Sequence, residues 1–227
     1  MTSVSGLAVE PLTETHADEI VDALADAFHD YPVMRFVCGE TEPYASRLHR
    51  LIELFVSNRV WRNESLFGIR DSNGTLIAAA TTTRPDTPDA PKGLVRLRDE
   101  IWSELGAGCR ERYDRFAAAT QRTPVEALHH HLNMIGVRSS HRGRGLARPL
   151  LLAVQRLAEQ DPASAGVSLT TELERNVALY RHFGYEVVGS SDVDASLRTW
   201  TLFRARAGSA RPGTESELPV SNVQSIP

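Results

Sequence analysis

Ile135-Gly136-Val137-Arg138-Ser139-Ser140-His141-Arg142-Gly143-Arg144-Gly145-Leu146-Ala147 is the densest local signal in the chain: an apolar strand, a loop of glycines and arginines, then the opening of a helix. The first N–H groups of a helix have no partner inside it and stand at the positive end of its dipole, which suits a phosphate. Glycine lets the backbone approach an anion closely, and Arg142 and Arg144 add charge. Pro149 falls in the first helical turn, where a missing N–H costs least. The stretch reads as a pyrophosphate cradle or, equally on its own terms, as a glycine turn with solvated arginines. No lysine stands where a nucleotide P-loop needs one. Arg148 takes the place of the third Gly or Ala in a dinucleotide-binding fingerprint, so both of those classes fall away.

On either side the pattern alternates between strands and helices. Upstream, a short strand near Leu7 to Glu10 ends at Pro11, and Ile20, Val21, Leu24, Ala27 and Phe28 predict an amphipathic helix to about His29. Thr13 and His16 do not make the usual capping pair, and Asp30-Tyr31-Pro32 breaks the helix. A second helix is predicted over 43–60, with Leu48, Leu51, Ile52, Leu54 and Phe55 as its buried stripe. Asp71-Ser72-Asn73-Gly74 between apolar runs predicts a hairpin. Residues 84–124 open with Pro85, Pro88 and Pro91 and read as two helices broken at Gly106-Ala107-Gly108, too long a stretch for a simple loop. Downstream come a helix to about Gln160, a strand over 166–171, a short helix over 175–183, and strands over 185–190 and 197–204. The order β-α-α-β-β-(insert)-β-α-β-α-β-β is that of a mixed sheet with crossover helices in its second half.

Composition narrows the function classes. The chain has 227 residues, 25 Lys+Arg against 29 Asp+Glu, and 41% hydrophobic residues, which fits one large globular domain. Of the basic residues only Lys92 is a lysine. The net charge of −4 offers no global field for nucleic acid. Cys38 and Cys109 fit no metal or redox spacing, which predicts a reducing compartment. No apolar run approaches the ~18 residues of a membrane span. Glu10, Glu14 and Asp18 stand where a signal peptide would be basic and apolar, so a cytoplasmic protein is expected. The last residues, 207–227, are rich in Gly, Ser, Pro and Glu and are expected to be a disordered tail.

Two motifs together identify a family. Arg142-x-x-Gly145-x-Ala147, following the strand Met134 to Val137, resembles the acetyl-CoA pyrophosphate motif of the GNAT N-acetyltransferase superfamily. Leu169-Thr170-Thr171-Glu172 through Asn176-Val177-Ala178-Leu179-Tyr180-Arg181-His182-Phe183-Gly184-Tyr185 resembles that family's second motif, in the family's order. Ala27 to Pro32 and Arg198-Thr199-Trp200 resemble the puromycin N-acetyltransferase branch, and His129-His130-His131-Leu132 stands where relatives carry His-Trp-Tyr-Leu. The resemblance covers roughly residues 6 to 206 and is faint over 84–124. It implies an α/β (α+β) fold: one GNAT-type domain over 6–206, a mixed, mostly antiparallel sheet of about seven strands flanked by helices, and a helical insertion at about 84–124 between the third and fourth strands.

The implied activity is transfer of an acetyl group from acetyl-CoA to a primary amine, foremost that of a small molecule. A protein or peptide N-acetyltransferase and a non-catalytic CoA-binding domain are the alternatives. Nucleic acid and membrane are not expected as partners, and a homodimer is left open. The resemblance assigns the backbone of Ile135, Gly136 and Val137 to the cofactor arm and the thioester carbonyl. It assigns Arg142, Gly143, Arg144, Gly145, Leu146 and Ala147 to the pyrophosphate, Asn176 to the cofactor arm, and Tyr180 to protonation of the departing thiolate. Asn176 and Tyr180, spaced i, i+4, share a helix face. Phe183 and Gly184 read as packing and a helix stop.

Strand alternation from His129 places His129, His131, Asn133 and Ile135 on one face and His130, Leu132 and Met134 on the other, which looks like core. A neutral imidazole can accept the ammonium proton, so His131 is the first choice of general base and His129 the second. Glu172 and Glu174 are rival bases. Asp30, Tyr31, Trp61, Trp102, Glu104 and Arg112 are candidates for the acceptor site. No metal site is expected, because successive strand residues point to opposite faces and three adjacent histidines cannot converge on one ion.

Overall fold

The computed structural model describes residues 8–209, so the expected tail lies almost wholly outside the described residues. The elements are β1 (Val9–Leu12), α1 (Ala17–Ala27), α2 (Pro32–Cys38), α3 (Tyr44–Val60), β2 (Leu66–Arg70), β3 (Leu76–Thr83), α4 (Lys92–Leu105) and α5 (Ala107–Thr120). They continue with β4 (His130–Val137), α6 (Ala147–Gln160), β5 (Gly166–Thr171), α7 (Glu174–His182), β6 (Glu186–Asp192) and β7 (Arg198–Ala205). One sheet of seven strands runs in the order β1-β2-β3-β4-β5-β7-β6. Every pairing is antiparallel except β4 with β5. No helix among the described residues is long and apolar enough to cross a membrane.

The sheet separates two apolar layers. On one face α1 and α3 bury Ile20, Leu24, Leu48, Leu51 and Ile52 against Leu76, Ala79 and Met134. On the other, α6 buries Leu150, Leu151 and Val154 against Ile77, Ala80, Leu132 and Leu169. Each such side chain contributes about 1.5–3 kcal/mol by leaving water. The hairpin at Asn73-Gly74 forms as expected: Gly74 has φ +81°, and Asp71 accepts the backbone amides of Asn73 and Thr75.

Four local expectations need correction. The first strand passes through Pro11, which is tolerated because β1 is an edge strand and pairs only with β2. Thr13 and His16 do cap one another, the Thr13 amide donating to His16 Nδ1 at 3.1 Å. Asp30-Tyr31-Pro32, read only as a break, leads straight into α2, with Pro32 at its first position, where the fixed φ and missing N–H favour helix initiation. The fourth correction concerns β4, where strict alternation fails. Thr81 pairs with Met134 and Thr82 with Leu132, so Asn133 is an extra residue in the strand. Such a bulge shifts the phase of the side chains. Leu132 therefore packs with the α6 layer and Met134 with the α1–α3 layer, and Ile135 no longer shares a face with His131.

Candidate functional site

The site begins where two paired strands part. β4 and β5 are bonded only at His130–Leu132 against Val167–Leu169, and beyond that Thr170 and Thr171 pair with β7 alone. The Arg138 amide donates to the Ile77 carbonyl on β3. Successive amides along a strand point to opposite edges, so those of Ile135 and Val137 face the opening between β4 and β5. Gly136 lets α1 lie close against this strand: a Cβ there would stand 2.7 Å from the Ala27 Cβ and 3.0 Å from Leu24 Cδ2.

Two clefts meet at this opening. One, of about 580 Å³, is lined by Ile135, Gly136 and Val137, by Arg142, Gly143, Gly145, Leu146 and Ala147, and by α7. The other, of about 490 Å³, lies beneath α3 and α5. Phe28, Tyr31, Ile135, Asn176 and Tyr180 line both, and so form the passage between them.

In the first cleft the loop before α6 has the form a pyrophosphate needs. Gly143 and Gly145 have φ of +74° and +76°, the region that favours glycine, and a Cβ at either would meet nothing within 4 Å. Arg142 Nη2 donates to the Ala27 carbonyl at 2.7 Å, which ties the loop to the end of α1. Asp26 accepts both the Ser139 amide and the Ser139 hydroxyl. Arg144 differs from expectation: its guanidinium folds back onto the Ser140 carbonyl at 3.3 Å and it does not line the cleft. Arg148 and Arg175 line it instead. Open backbone, a helix N-terminus and three lining arginines fit a diphosphate.

The second motif forms one bonded cluster. Asn176 Nδ2 donates to Thr171 Oγ1 at 3.2 Å, and Tyr31 Oη lies 2.9 Å from the same atom. Tyr180 is buried against Tyr185, with ring centroids 5.8 Å apart. Burial, then the nearby Glu172 charge, holds its phenol above the ordinary range, so it carries its proton at neutral pH. Burial also pushes the Glu172 carboxyl up to about 7, against the opposing effect of the 2.8 Å hydrogen bond donated by Thr199 Oγ1. Glu172 lines the second cleft, whereas Glu174 is exposed on the first turn of α7 and lines neither.

His129 and His131 both line the second cleft. His131 Nδ1 lies 2.7 Å from Ser168 Oγ, and burial, with Arg59 and His129 adding to it, pulls the imidazole down to about 3. Such a ring stays neutral but is a poor proton acceptor at neutral pH. His129 is likewise lowered by burial, and its Nδ1 lies 2.5 Å from the Ala127 carbonyl. His130 points to the other face and bonds Asp161 at 2.9 Å.

Of the expected acceptor-site residues, Tyr31 lines both clefts and Asp30 the first, where Asp30 is paired with Arg35 at 2.6 Å. Trp61 packs on α4 over Gly93, and Trp102 is core beside Tyr113. Glu104 pairs with Arg50, and Arg112 donates to the Val37 carbonyl. None of these four lines either of the two clefts. The insertion still contributes a wall, through Tyr113 and Phe116 of α5, with Arg59 of α3 beside them. Helical periodicity signals that α5 is amphipathic but not what its apolar face covers, so Tyr113, Phe116 and Arg59 carried no distinctive mark.

A family model for the acetyltransferase (GNAT) domain matches residues 104–187, spanning α5, β4, the glycine–arginine loop and α7. No curated protein matches the sequence. Among solved structures, the chain is similar to histone acetyltransferase HPA2 and related acetyltransferase from Corynebacterium glutamicum, at 24% identity and a TM-score of 0.64, covering 91% of this chain and 98% of that one. It is also similar to arylalkylamine N-acetyltransferase 2 from Aedes aegypti (15% identity, TM-score 0.61, 88% and 98% covered). A third is the polyamine N-acetyltransferase of Drosophila melanogaster (17% identity, TM-score 0.59, 87% and 99% covered). At these identities the likeness is one of fold.

Proposed function

We propose that this acyltransferase, in which a model for the acetyltransferase (GNAT) domain matches residues 104–187, moves an acetyl group from acetyl-CoA to a primary amine of a small molecule. The observation that supports this reading is the junction of the two clefts at Ile135, Asn176 and Tyr180, with the Ile135 and Val137 amides facing the opening. Acetyl-CoA supplies a thioester carbonyl and a thiolate leaving group. The glycine–arginine loop and α6 hold its diphosphate through backbone N–H groups, Arg142, Arg148 and Arg175. The strand amides donate to the oxygen as it gains charge. Glu172 removes the proton from the acceptor ammonium, since a carboxylate with a pKa near 7 is matched to that task at neutral pH. His131, the first choice from sequence, is held too acidic for it and serves as a neutral wall. The amine nitrogen bonds the acetyl carbon as the C–S bond breaks, Tyr180 gives its proton to the departing sulfur, and the second proton shed by the nitrogen restores the phenol.

The second cleft is enclosed by Phe28, Phe55, Tyr113 and Phe116, which favours a small acceptor over an extended peptide. The test is thermal unfolding with and without millimolar acetyl-CoA, followed by thiol release with a panel of amines. Ligand at ~100 times its dissociation constant stabilises by about 2.7 kcal/mol, a clear rise in Tm. Amine-dependent release supports transfer. Stabilisation with no release from any amine or peptide leaves a CoA-binding domain without this activity.

A further inference from the structure

Arg59, in the last turn of α3, lines the acceptor cleft and has no carboxylate partner among the described residues. Its Nη1 donates to the Phe55 carbonyl at 3.1 Å, while its Nε is shielded from solvent with no hydrogen-bond partner. Arg206 likewise has a shielded Nε without a partner, and Arg47, Arg62, Arg112 and Arg138 bond main-chain or neutral atoms. Among the described residues, however, Arg59 is the arginine that lines this cleft, while others pair with carboxylates. Arg70 meets Glu10 and Glu19, Arg50 meets Glu53 and Glu104, and Arg204 meets Glu159. The buried Glu64 carboxylate acts on Arg59 only through space and is itself engaged by Arg84 and Thr87. The guanidinium thus lacks a direct counter-ion, a costly state that a ligand's opposite charge relieves. Burial has already drawn the Arg59 guanidinium down to about 10. The neighbouring His131 and His129 are held neutral and supply no negative charge.

The carboxyl that lines this cleft is Glu172, which the proposed chemistry assigns to the amine. Arg59 is not among the groups acting on the Glu172 carboxyl, and the cleft they share carries the apolar side chains Phe28, Val33, Met34, Phe55 and Phe116 beside polar ones such as Asn133 and Ser168. Resting on the acetyl-transfer reading above, we propose that the acceptor is an amino acid in the broad sense, its amine at Glu172, its carboxylate on Arg59, and an apolar spacer between them. A guanidinium is a planar fork that matches a carboxylate with two parallel bonds, and one such cation balances a carboxylate but not a phosphate dianion.

The test uses the full chain and acceptors in matched triplets: ω-amino acids of two to eight carbons, their primary amides, and plain alkylamines of equal length. With acetyl-CoA saturating, kcat/KM for at least one amino acid should exceed that of its amide and its alkylamine by tenfold or more. In Arg59→Met that ratio should fall to near one, while Arg59→Lys should keep part of it. Equal or better rates with amides and alkylamines at every length overturn the proposal, as does a preference for amine phosphates. Melting shifts in the presence of CoA separate this inference from the reading it rests on. Carboxylates that stabilise the wild-type protein more than their amides, with no transfer, support the anion site and reject the transfer reading. Transfer to plain amines with no carboxylate-dependent shift does the reverse.

Discussion

The Glu172 amide donates a 3.2 Å hydrogen bond to the hydroxyl of Tyr31, so the start of α2 is tied to the end of β5 across the passage between the two clefts. Tyr31 is the cap residue of α2, and α2 begins where it does because Pro32 initiates it. The position of the Glu172 backbone thus depends on a helix start far away in sequence.

Glu172→Gln should separate activity from stability. Activity needs the ionised carboxylate, so wild-type kcat/KM should rise with pH through about 7, and the variant should lose that limb along with most of its turnover. The folded pKa lies above the ordinary 4.5, so Glu172 favours the fold fully below pH 4.5 and loses that contribution as pH rises through 7. At pH 8 the glutamine variant should therefore be more stable than wild type, by on the order of 1–3 kcal/mol. Below pH 4.5 the difference should vanish. Denaturant titrations at the two pH values check the sign. His131→Ala should keep the acidic limb; its loss there would return the base to His131.

Tyr180→Phe removes the hydroxyl from a buried ring that lines both clefts. Turnover should fall on the order of 10²-fold while acetyl-CoA affinity by calorimetry changes little. Wild-type turnover with chemistry rate-limiting would make Tyr180 a packing residue.

Arg142→Glu should weaken acetyl-CoA binding by about 1–3 kcal/mol, because a charge-assisted phosphate contact becomes a repulsion and the bond to the Ala27 carbonyl is lost. Arg144→Glu should weaken it less, since Arg144 folds onto Ser140 outside the cleft. Calorimetry on both variants compares them directly, and equal losses would reject the assignment of the cleft wall.

Gly136→Val should destabilise by roughly 1–3 kcal/mol through overpacking. The added carbons meet Ala27, Leu24 and Phe28 at 2.7–3.2 Å from the Cβ alone, so α1 must retreat from β4. Chemical unfolding measures this, and an unchanged midpoint would show that α1 yields freely.

The linear pattern carried the element order, the break of the insertion at Gly106 and the glycine–arginine loop. Each is set by neighbours within a few residues: apolar spacing decides helix or strand, and a positive φ at Gly106, Gly143 and Gly145 calls for glycine locally. The short α2 was hidden because Pro32 both ends one helix and starts another, and only packing chooses.

What tertiary structure alone decided lies at the site. Asn133 is a bulge because β3 and β4 shift register there, and a strand read by itself carries no partner to shift against. That shift separates Met134 from Leu132 and carries Ile135 off the face of His131. The contrast between His131 and Glu172 has the same origin. Their intrinsic acidities are known from residue type, but burial pushes the imidazole down to about 3 and the carboxyl up to about 7, and burial is a property of the assembled layers. Arg59 is set for a like reason: that no carboxylate among the described residues pairs with it directly depends on every other element packed around it.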